Sequence, residues 1–244
     1  MEDVRIHKFL ADAGIMSRRA AEEAVKRGEI KVNGETATLG MKIFPETDKV
    51  EYKGKVVKAD KKRCEYYILN KPVGYVTTLS DEKGRPCIKD LISDIETRVY
   101  PVGRLDYDSE GLILLTNDGV MTERLTHPRH SIGKYYNVTV KGQVTMEQRK
   151  ALGRAMEIDG YTIMPVKNTV ISMKEDKTVL GMELYEGRNR QIRKMCEQVG
   201  LEVIKLRRIA IGQIELGNLK LGCWKKLSGA QIEYLKVACK MKGK

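Results

Sequence analysis

The densest run of groups able to do chemistry is Gly103-Arg104-Leu105-Asp106-Tyr107-Asp108-Ser109-Glu110-Gly111, followed at once by the apolar stretch Leu112-Ile113-Leu114-Leu115. Three carboxylates directly before a buried strand fall at the rim of a sheet, where a cleft can form. An ionised carboxylate there can serve as nucleophile or general base, and the pair Asp106 and Glu110 could supply the acid and nucleophile of glycoside hydrolysis. Asp and Ser are also turn formers, so spacing alone leaves a plain solvated loop open. Other chemistries lack their scaffolds. There is no G-x-x-x-x-G-K-[ST], G-x-G-x-x-G or G-x-S-x-G motif. The histidines are His7, His127 and His130, with Pro128 between the last two, and the cysteines form no C-x-x-C pair, so no metal site is expected.

The elements that must position such a loop can be read from periodicity. Strand patterns recur at Tyr66–Leu69, Gly111–Thr116, Tyr135–Val140, Val179–Tyr185 and Val203–Leu206, with helix patterns between them. Thr145 with Gln148 forms a capping box opening a helix to about Ala155, and Ser228 with Gln231 opens the last helix. Strands and helices do not alternate strictly, which predicts an α+β fold on a mostly antiparallel or mixed sheet with flanking helices. Along Tyr135–Val140, Tyr136 shares a face with Val138 and Val140, so it is the inward tyrosine.

The first 57 residues read as two helices followed by short strands. Asp3 can cap a helix with Ile6, Phe9, Leu10 and Ala13 on one face, ended by Gly14. Ser17 can cap a second, ended by Gly28. Ile30-Lys31-Val32 then enters a tight turn at Asn33-Gly34. Arg18 and Arg19 stand in the first turn of the second helix, where the macrodipole disfavours cations, so something other than helix stability placed them there. Three segments, Arg5-Ile6-His7-Lys8-Phe9-Leu10, Ser17-Arg18-Arg19-Ala20-Ala21 and Gly28-Glu29-Ile30-Lys31-Val32-Asn33-Gly34, resemble the S4 RNA-binding module. The resemblance implies that Arg5, Lys8, Ser17, Arg18, Arg19 and Lys31 face RNA phosphates. Flexible cations and a hydroxyl near a helix N-terminus suit gripping a backbone, not reading bases. The Lys-rich stretch Lys53–Arg63 reads as a linker, which divides the chain into 1–60 and 63–244.

Charge points to the same partner. The 244 residues carry 45 Lys and Arg against 33 Asp and Glu, a net charge of +12. Residues 63–185 are balanced at 17 of each sign, whereas residues 186–244 hold 14 basic and 5 acidic side chains. That excess falls on patterned segments as well as on the Lys-rich C-terminus, and it predicts a polyanionic partner. No apolar run approaches the roughly 18 residues of a membrane span. MEDVRIHKFL is too polar for a signal peptide, and five unpaired cysteines suit a reducing compartment, so a cytoplasmic protein is expected.

Tyr100-Pro101-Val102-Gly103-Arg104-Leu105-Asp106-Tyr107-Asp108-Ser109-Glu110-Gly111-Leu112 resembles the signature of the RsuA/RluB group of rRNA pseudouridine synthases. Lys134-Tyr135-Tyr136-Asn137-Val138, Glu186–Met195, Leu206-Arg207-Arg208-Ile209-x-Ile211-Gly212, Leu69-Asn70-Lys71-Pro72-x-Gly74 and Gly222-x-Trp224-x-x-Leu227 agree in order and spacing. The resemblance implies isomerisation of a uridine in rRNA, with large-subunit rRNA favoured, no cofactor, base flipping, and Asp106 as the essential carboxylate. It further implies Tyr136 against the uracil and Arg104 at the everted nucleotide, with Lys71, Arg188, Arg190, Arg207 and Arg208 on phosphates. Arg193 is the expected cation beside Asp106, because it lies at the edge of the helical stripe Ile192, Met195, Cys196, Val199, whereas Arg190 and Lys194 are about 160° from Ile192. The expected partner is rRNA or an assembling ribosomal subunit, and a monomer is expected. Two rivals stand: a non-catalytic RNA-binding or ribosome-assembly factor, and a hydrolase using Asp106 and Glu110.

Overall fold

The computed structural model describes residues 3–58, 63–127 and 132–241. His130 and Pro128 of the histidine argument, residues 59–62 of the expected linker and residues 242–244 of the basic C-terminus lie outside them. The chain forms two units, Met1–Cys64 and Glu65–Lys244.

The first unit runs β1 (Val4–Arg5), α1 (Ile6–Asp12), α2 (Arg18–Lys26), β2 (Ile30–Val32), β3 (Glu35–Thr36), β4 (Lys42–Ile43), β5 (Val50–Tyr52) and β6 (Lys55–Val57). Ser17 caps α2 as its type and position require, its hydroxyl accepting from the Ala20 amide at 3.1 Å. The left-handed residues Asn33 and Gly34 turn β2 into β3. Ile6, Phe9 and Leu10 of α1 pack with Ala21, Ala24 and Val25 of α2 and with Ile30, Ile43 and Val50. Asp3 does not cap α1. That position belongs to Arg5, already extended in β1, and Asp3 instead pairs with Lys42 at 2.9 Å. The start of the expected linker is strand β6, paired with β5.

The second unit runs β7 (Tyr66–Lys71), a 3-10 turn (Ile88–Leu91), β8 (Tyr100–Val102), β9 (Glu110–Thr116), α3 (Gly119–Thr126), β10 (Lys134–Lys141), α4 (Met146–Leu152), β11 (Met156–Ile158), β12 (Tyr161–Ile163), β13 (Lys167–Met173), β14 (Lys177–Leu184), α5 (Gln191–Gln198), β15 (Val203–Ile211), β16 (Ile214–Glu215), β17 (Trp224–Lys226) and α6 (Gly229–Ala238). Its main sheet has the order β13-β14-β10-β15-β9-β7-β17, with β8 added on β9 and β16 on β15. The pairs are antiparallel except β9 with β15, so the sheet is mixed and mostly antiparallel. Both expected capping boxes form, and α4 stops at Leu152 because Gly153 follows.

Every residue of β7 and β9 is buried, which is why these strands read as continuous apolar runs. Tyr67, Leu69, Ile113 and Leu115 join Tyr136, Val138, Leu180, Met182 and the Ile192, Met195, Cys196 stripe of α5 in one core. Tyr66, Ile68, Leu112 and Leu114 join Met121 and Leu125 of α3 and Leu235 of α6 in another. The sheet is thus filled on both sides at its centre, and the loop Gly103–Ser109 emerges where β9 begins.

Candidate active site

Gly111 sets the geometry of the β9 edge. Its φ is +111°, and a Cβ there would stand 2.2 Å from the carbonyl oxygen of Arg208, so only glycine lets β9 approach β15. The parallel register places Arg207 opposite Glu110 and Arg208 opposite Gly111.

The preceding loop is held by its backbone. Thr77 Oγ1 donates to the Leu105 carbonyl at 2.7 Å and accepts from the Leu105 amide at 3.2 Å. The Gly74 amide donates to the Tyr107 carbonyl at 2.9 Å. Lys71 Nζ donates to the carbonyls of Asp106 at 3.1 Å, Ser109 at 2.7 Å and Pro72 at 2.9 Å. Lys71 is fully buried, so it is not part of an RNA-facing surface as expected; the chain uses it as an internal tie. Burial pushes its ammonium down to about 8, against the opposing pull of Asp106, Asp108 and Glu110.

With its backbone tied, Asp106 turns a side chain that is 26% exposed toward a cleft of about 560 Å³. That volume lies within the ~300–1,000 Å³ of small-ligand pockets. Tyr136, 9% exposed, lines the same cleft, as strand alternation requires.

Among the described residues, the cation nearest the Asp106 carboxylate is Arg190, with Nη1 3.9 Å from Oδ2. Arg190 has a left-handed backbone at the start of α5, which swings its side chain back over the loop, where it donates to both Asp108 oxygens at 3.1 and 2.9 Å. Helical phase counted from Ile192 could not reveal this, because Arg190 stands outside the helix. Arg193 does reach inward, yet to Asp108: Nη2 donates to its carbonyl at 2.8 Å, Nε lies 3.3 Å from its carboxylate, and Nη1 donates to the Val203 carbonyl at 3.2 Å. Burial raises the Asp108 carboxyl, but the Arg190 hydrogen bond and the charges of Arg193 and Arg190 outweigh it and hold the group below its usual range. Asp108 is therefore the hub joining both arginines to the loop.

Arg208, expected on the surface, is 3% exposed because its Cα partner across the sheet is Tyr136, which puts its side chain inside the cleft. Its Nε donates to the Leu112 carbonyl at 2.7 Å and its Nη1 to the Arg104 carbonyl at 3.5 Å. Arg207 faces the other way with Lys205, and the two lie 3.6 and 3.0 Å from the buried Glu110. Glu110 is spent on these cations and does not line the cleft, which removes the Asp106–Glu110 pair that the hydrolase reading needs. Arg104 is exposed at the rim. Arg188 also lines the cleft, with its guanidinium 4.1 Å from the centre of the Tyr161 ring. Lys134, beside Tyr136 in β10, reaches the cleft as well. In the first unit Arg5, Ser17, Arg18, Arg19 and Lys31 are exposed, and Lys8 pairs with Asp12 at 3.4 Å. Among the described residues no cluster of His, Cys, Asp and Glu could hold a metal, and no helix is long and apolar enough to cross a membrane.

Asp106 and the buried Tyr136 share a cleft edged by arginines, and the other carboxylate lining it, Glu186, is held by the Met164 amide, Gln191 and Arg188, so the arrangement suits chemistry on RNA centred on Asp106. The model of the family described as RNA pseudouridylate synthase matches residues 65–198, and that of the S4 domain matches residues 4–47. The chain is 42% identical to an RNA pseudouridine synthase of Aquifex aeolicus, over 96% of this chain and 94% of that protein. It is 38% identical to the ribosomal large subunit pseudouridine synthase B of Bacillus subtilis, over 95% of each. A crystal structure of a pseudouridylate synthase superposes with a TM-score of 0.69 at 29% identity, covering 95% of this chain and 99% of that one. The chain belongs to the RNA pseudouridylate synthase family, with an S4 domain at its N-terminal end. It is an enzyme that isomerises uridine in RNA to pseudouridine.

Proposed function

We propose that the substrate is a uridine of ribosomal RNA, in the large subunit, and that Asp106 is the catalytic carboxylate. The observation that carries this reading is the Asp106 side chain itself, open to a cleft floored by Tyr136 while its backbone is tied to Lys71. The large-subunit preference rests on the Bacillus subtilis relative and on the Gly187-Arg188-Asn189-Arg190-Gln191-Ile192-Arg193 segment. In the reaction the N1–C1′ bond breaks, the uracil turns, C5 bonds to C1′, and the proton lost from C5 is balanced by one gained at N1. Ionised Asp106 opens the sequence, either as nucleophile at the sugar or base or as base at C2′. Tyr136 stacks on the uracil and stands near C5. The base must leave its stack to arrive there, at a cost of a few kcal/mol, and Arg104 at the rim holds the vacated position. Arg190 and Arg193, joined through Asp108, keep positive charge beside the carboxylate.

Residues 1–60 act as the S4 grip, through Arg5, Lys8, Ser17, Arg18, Arg19 and Lys31, and residues 63–244 carry the reaction. The enzyme acts as a monomer in the cytoplasm, on rRNA or an assembling subunit. Pseudouridine mapping of rRNA from cells lacking the gene, complemented with wild type or with Asp106→Asn, tests the assignment. One large-subunit site should vanish on deletion, return with wild type and stay absent with Asp106→Asn. A full set of sites in the deletion strain sinks it, and a cellular role restored by Asp106→Asn favours a binding factor.

A further inference from the structure

Among the described residues, two cations that line the cleft have no ion-pair partner. Arg208 is 97% buried, and its Nη2 has no hydrogen-bond partner among the described residues, although Nε and Nη1 are used. Lys134 is partly buried one residue before the Tyr135–Tyr136 pair, and its hydrogen bond is a long one, 3.5 Å to the Ile132 carbonyl. Neither makes an ion pair among the described residues. The carboxylates that share the cleft are engaged elsewhere: Asp106 lies by Arg190, and Glu186 takes bonds from the Met164 amide and Gln191 and lies 3.7 Å from Arg188. Burial, with the charge of Arg208 added, holds the Lys134 ammonium below its ordinary range.

A buried guanidinium with an unused donor near a second, partly buried cation is costly in an empty fold. Such a cost is kept where an anion arrives to offset it. Resting on the synthase reading, we infer that Lys134 and Arg208 form a phosphate site inside the cleft, which takes the phosphodiester of the everted uridine itself. The alternative anion, a substrate carboxylate, is absent from RNA. A neutral uracil carbonyl could take one donor, but it would leave two like charges facing each other. Arg207, on the opposite side of the sheet, belongs to a different surface, so the pair acts without it. The site would seat the sugar by its phosphate so that C1′ meets Asp106 while the base lies on Tyr136. Lys134 and Arg208 are thus binding residues for the reacting nucleotide, not for flanking RNA.

The test uses the full chain and an RNA fragment carrying the mapped uridine, made with natural phosphates or with an uncharged methylphosphonate on either side of that uridine. Lys134→Met should weaken RNA binding about tenfold and reduce the slope of log Kd against log salt by about 1. One of the two methylphosphonates should weaken wild type by a similar factor and Lys134→Met hardly further, because both changes remove the same contact. Lys134→Arg should restore most of the affinity. Melting temperature separates binding from a structural role, since loss of a partnerless cation should leave Tm unchanged or raise it. Additive effects of the variant and both methylphosphonates overturn the inference, as does a lowered Tm with an unchanged salt slope. Wild-type pseudouridine formation in the same fragment is the control: its absence sinks the synthase reading, whereas its presence with additive losses sinks only the phosphate site.

Discussion

Lys71 Nζ stands 3.1 Å from the main-chain carbonyl oxygen of Asp106 and donates to it, so the residue that carries the reacting carboxylate is gripped through its backbone. The same ammonium ties Ser109 and Pro72, and no solvent reaches it. The side chain of Asp106 is left to meet substrate while the peptide that carries it cannot drift. Replacing the lysine by an apolar side chain of similar length removes the ammonium from the Ser109 and Pro72 carbonyls and leaves the Asp106 carbonyl with the Ser109 amide, 3.1 Å away, as its donor. Lys71→Met should therefore lower kcat by about 100-fold, the scale of a misplaced catalytic group, with Asp106 still present.

The charge of Lys71 also gives activity and stability opposite pH dependences. Its folded pKa is about 8 against an ordinary 10.5, so between these values the unfolded chain holds a proton that the folded chain has released. Stability from this residue rises with pH across that window, as a burial penalty on the order of 3 kcal/mol is relieved. Over the same window kcat should fall, because a neutral amine has too few hydrogens for three carbonyls. Urea unfolding of wild type and Lys71→Met from pH 7.5 to 10, beside pH profiles of kcat, checks both. A wild-type kcat that is flat through pH 8 to 10 would show that the ammonium is not needed.

Thr77 holds the other end of the loop with both its donor and its acceptor on Leu105. Thr77→Val keeps the shape and leaves the Leu105 amide and carbonyl unpaired, at about 1–3 kcal/mol for each buried group. Tm should drop by several degrees and kcat by about tenfold, and Thr77→Ser should recover both. Equal kcat in Val and wild type would show that the loop does not depend on this clamp.

The difference between what could and could not be read in advance follows from the range of the interactions. Ser17, Thr145 and Ser228 cap their helices through contacts three residues away, so type and spacing suffice. Tyr136 points inward because a strand alternates, again a local fact. Lys71, Arg208 and Asp108 owe their roles to partners 35, 96 and 82 residues away in sequence. A lysine that ties three carbonyls and one that meets phosphate look alike as letters. Strand β13 carries no local signal, because it is an edge strand with mostly exposed side chains and lacks the apolar alternation that marks its neighbours. One signal is present: Lys71 follows the continuous apolar run Tyr66–Leu69 after Asn70 alone, and a cation ending such a strand is set deep unless the strand leaves the sheet.

Asp108 is expected to govern the arginines without contributing to substrate affinity. Asp108→Asn removes the charge that gathers Arg190 and Arg193, and kcat should fall about tenfold as Arg190 loses its anchor. RNA affinity should stay equal or improve, because a carboxylate leaves a basic rim. Since the Asp108 carboxyl is held below its ordinary 3.8, its contribution to stability persists above that value and is lost only as pH falls through the lower folded pKa. Single-turnover rates and RNA binding measured on the same preparation separate the two effects. A weaker Kd with an unchanged rate would place Asp108 in binding instead.

Gly111 is where fold and site share one atom's worth of space. A methyl group there would overlap the Arg208 carbonyl at 2.2 Å, and the obstacle is backbone, which cannot rotate away. The φ of +111° adds a strain that L side chains avoid. Gly111→Ala must therefore either break the β9–β15 pairing or push β15 outward, and both move Arg208 away from Tyr136. The variant should be recovered poorly or melt well below wild type, whereas Gly187→Ala, a position with nothing within 4 Å, should fold normally. If Gly111→Ala folds with an unchanged Tm and full activity, β9 and β15 do not depend on this close approach, and the placement of Arg208 in the cleft falls with it.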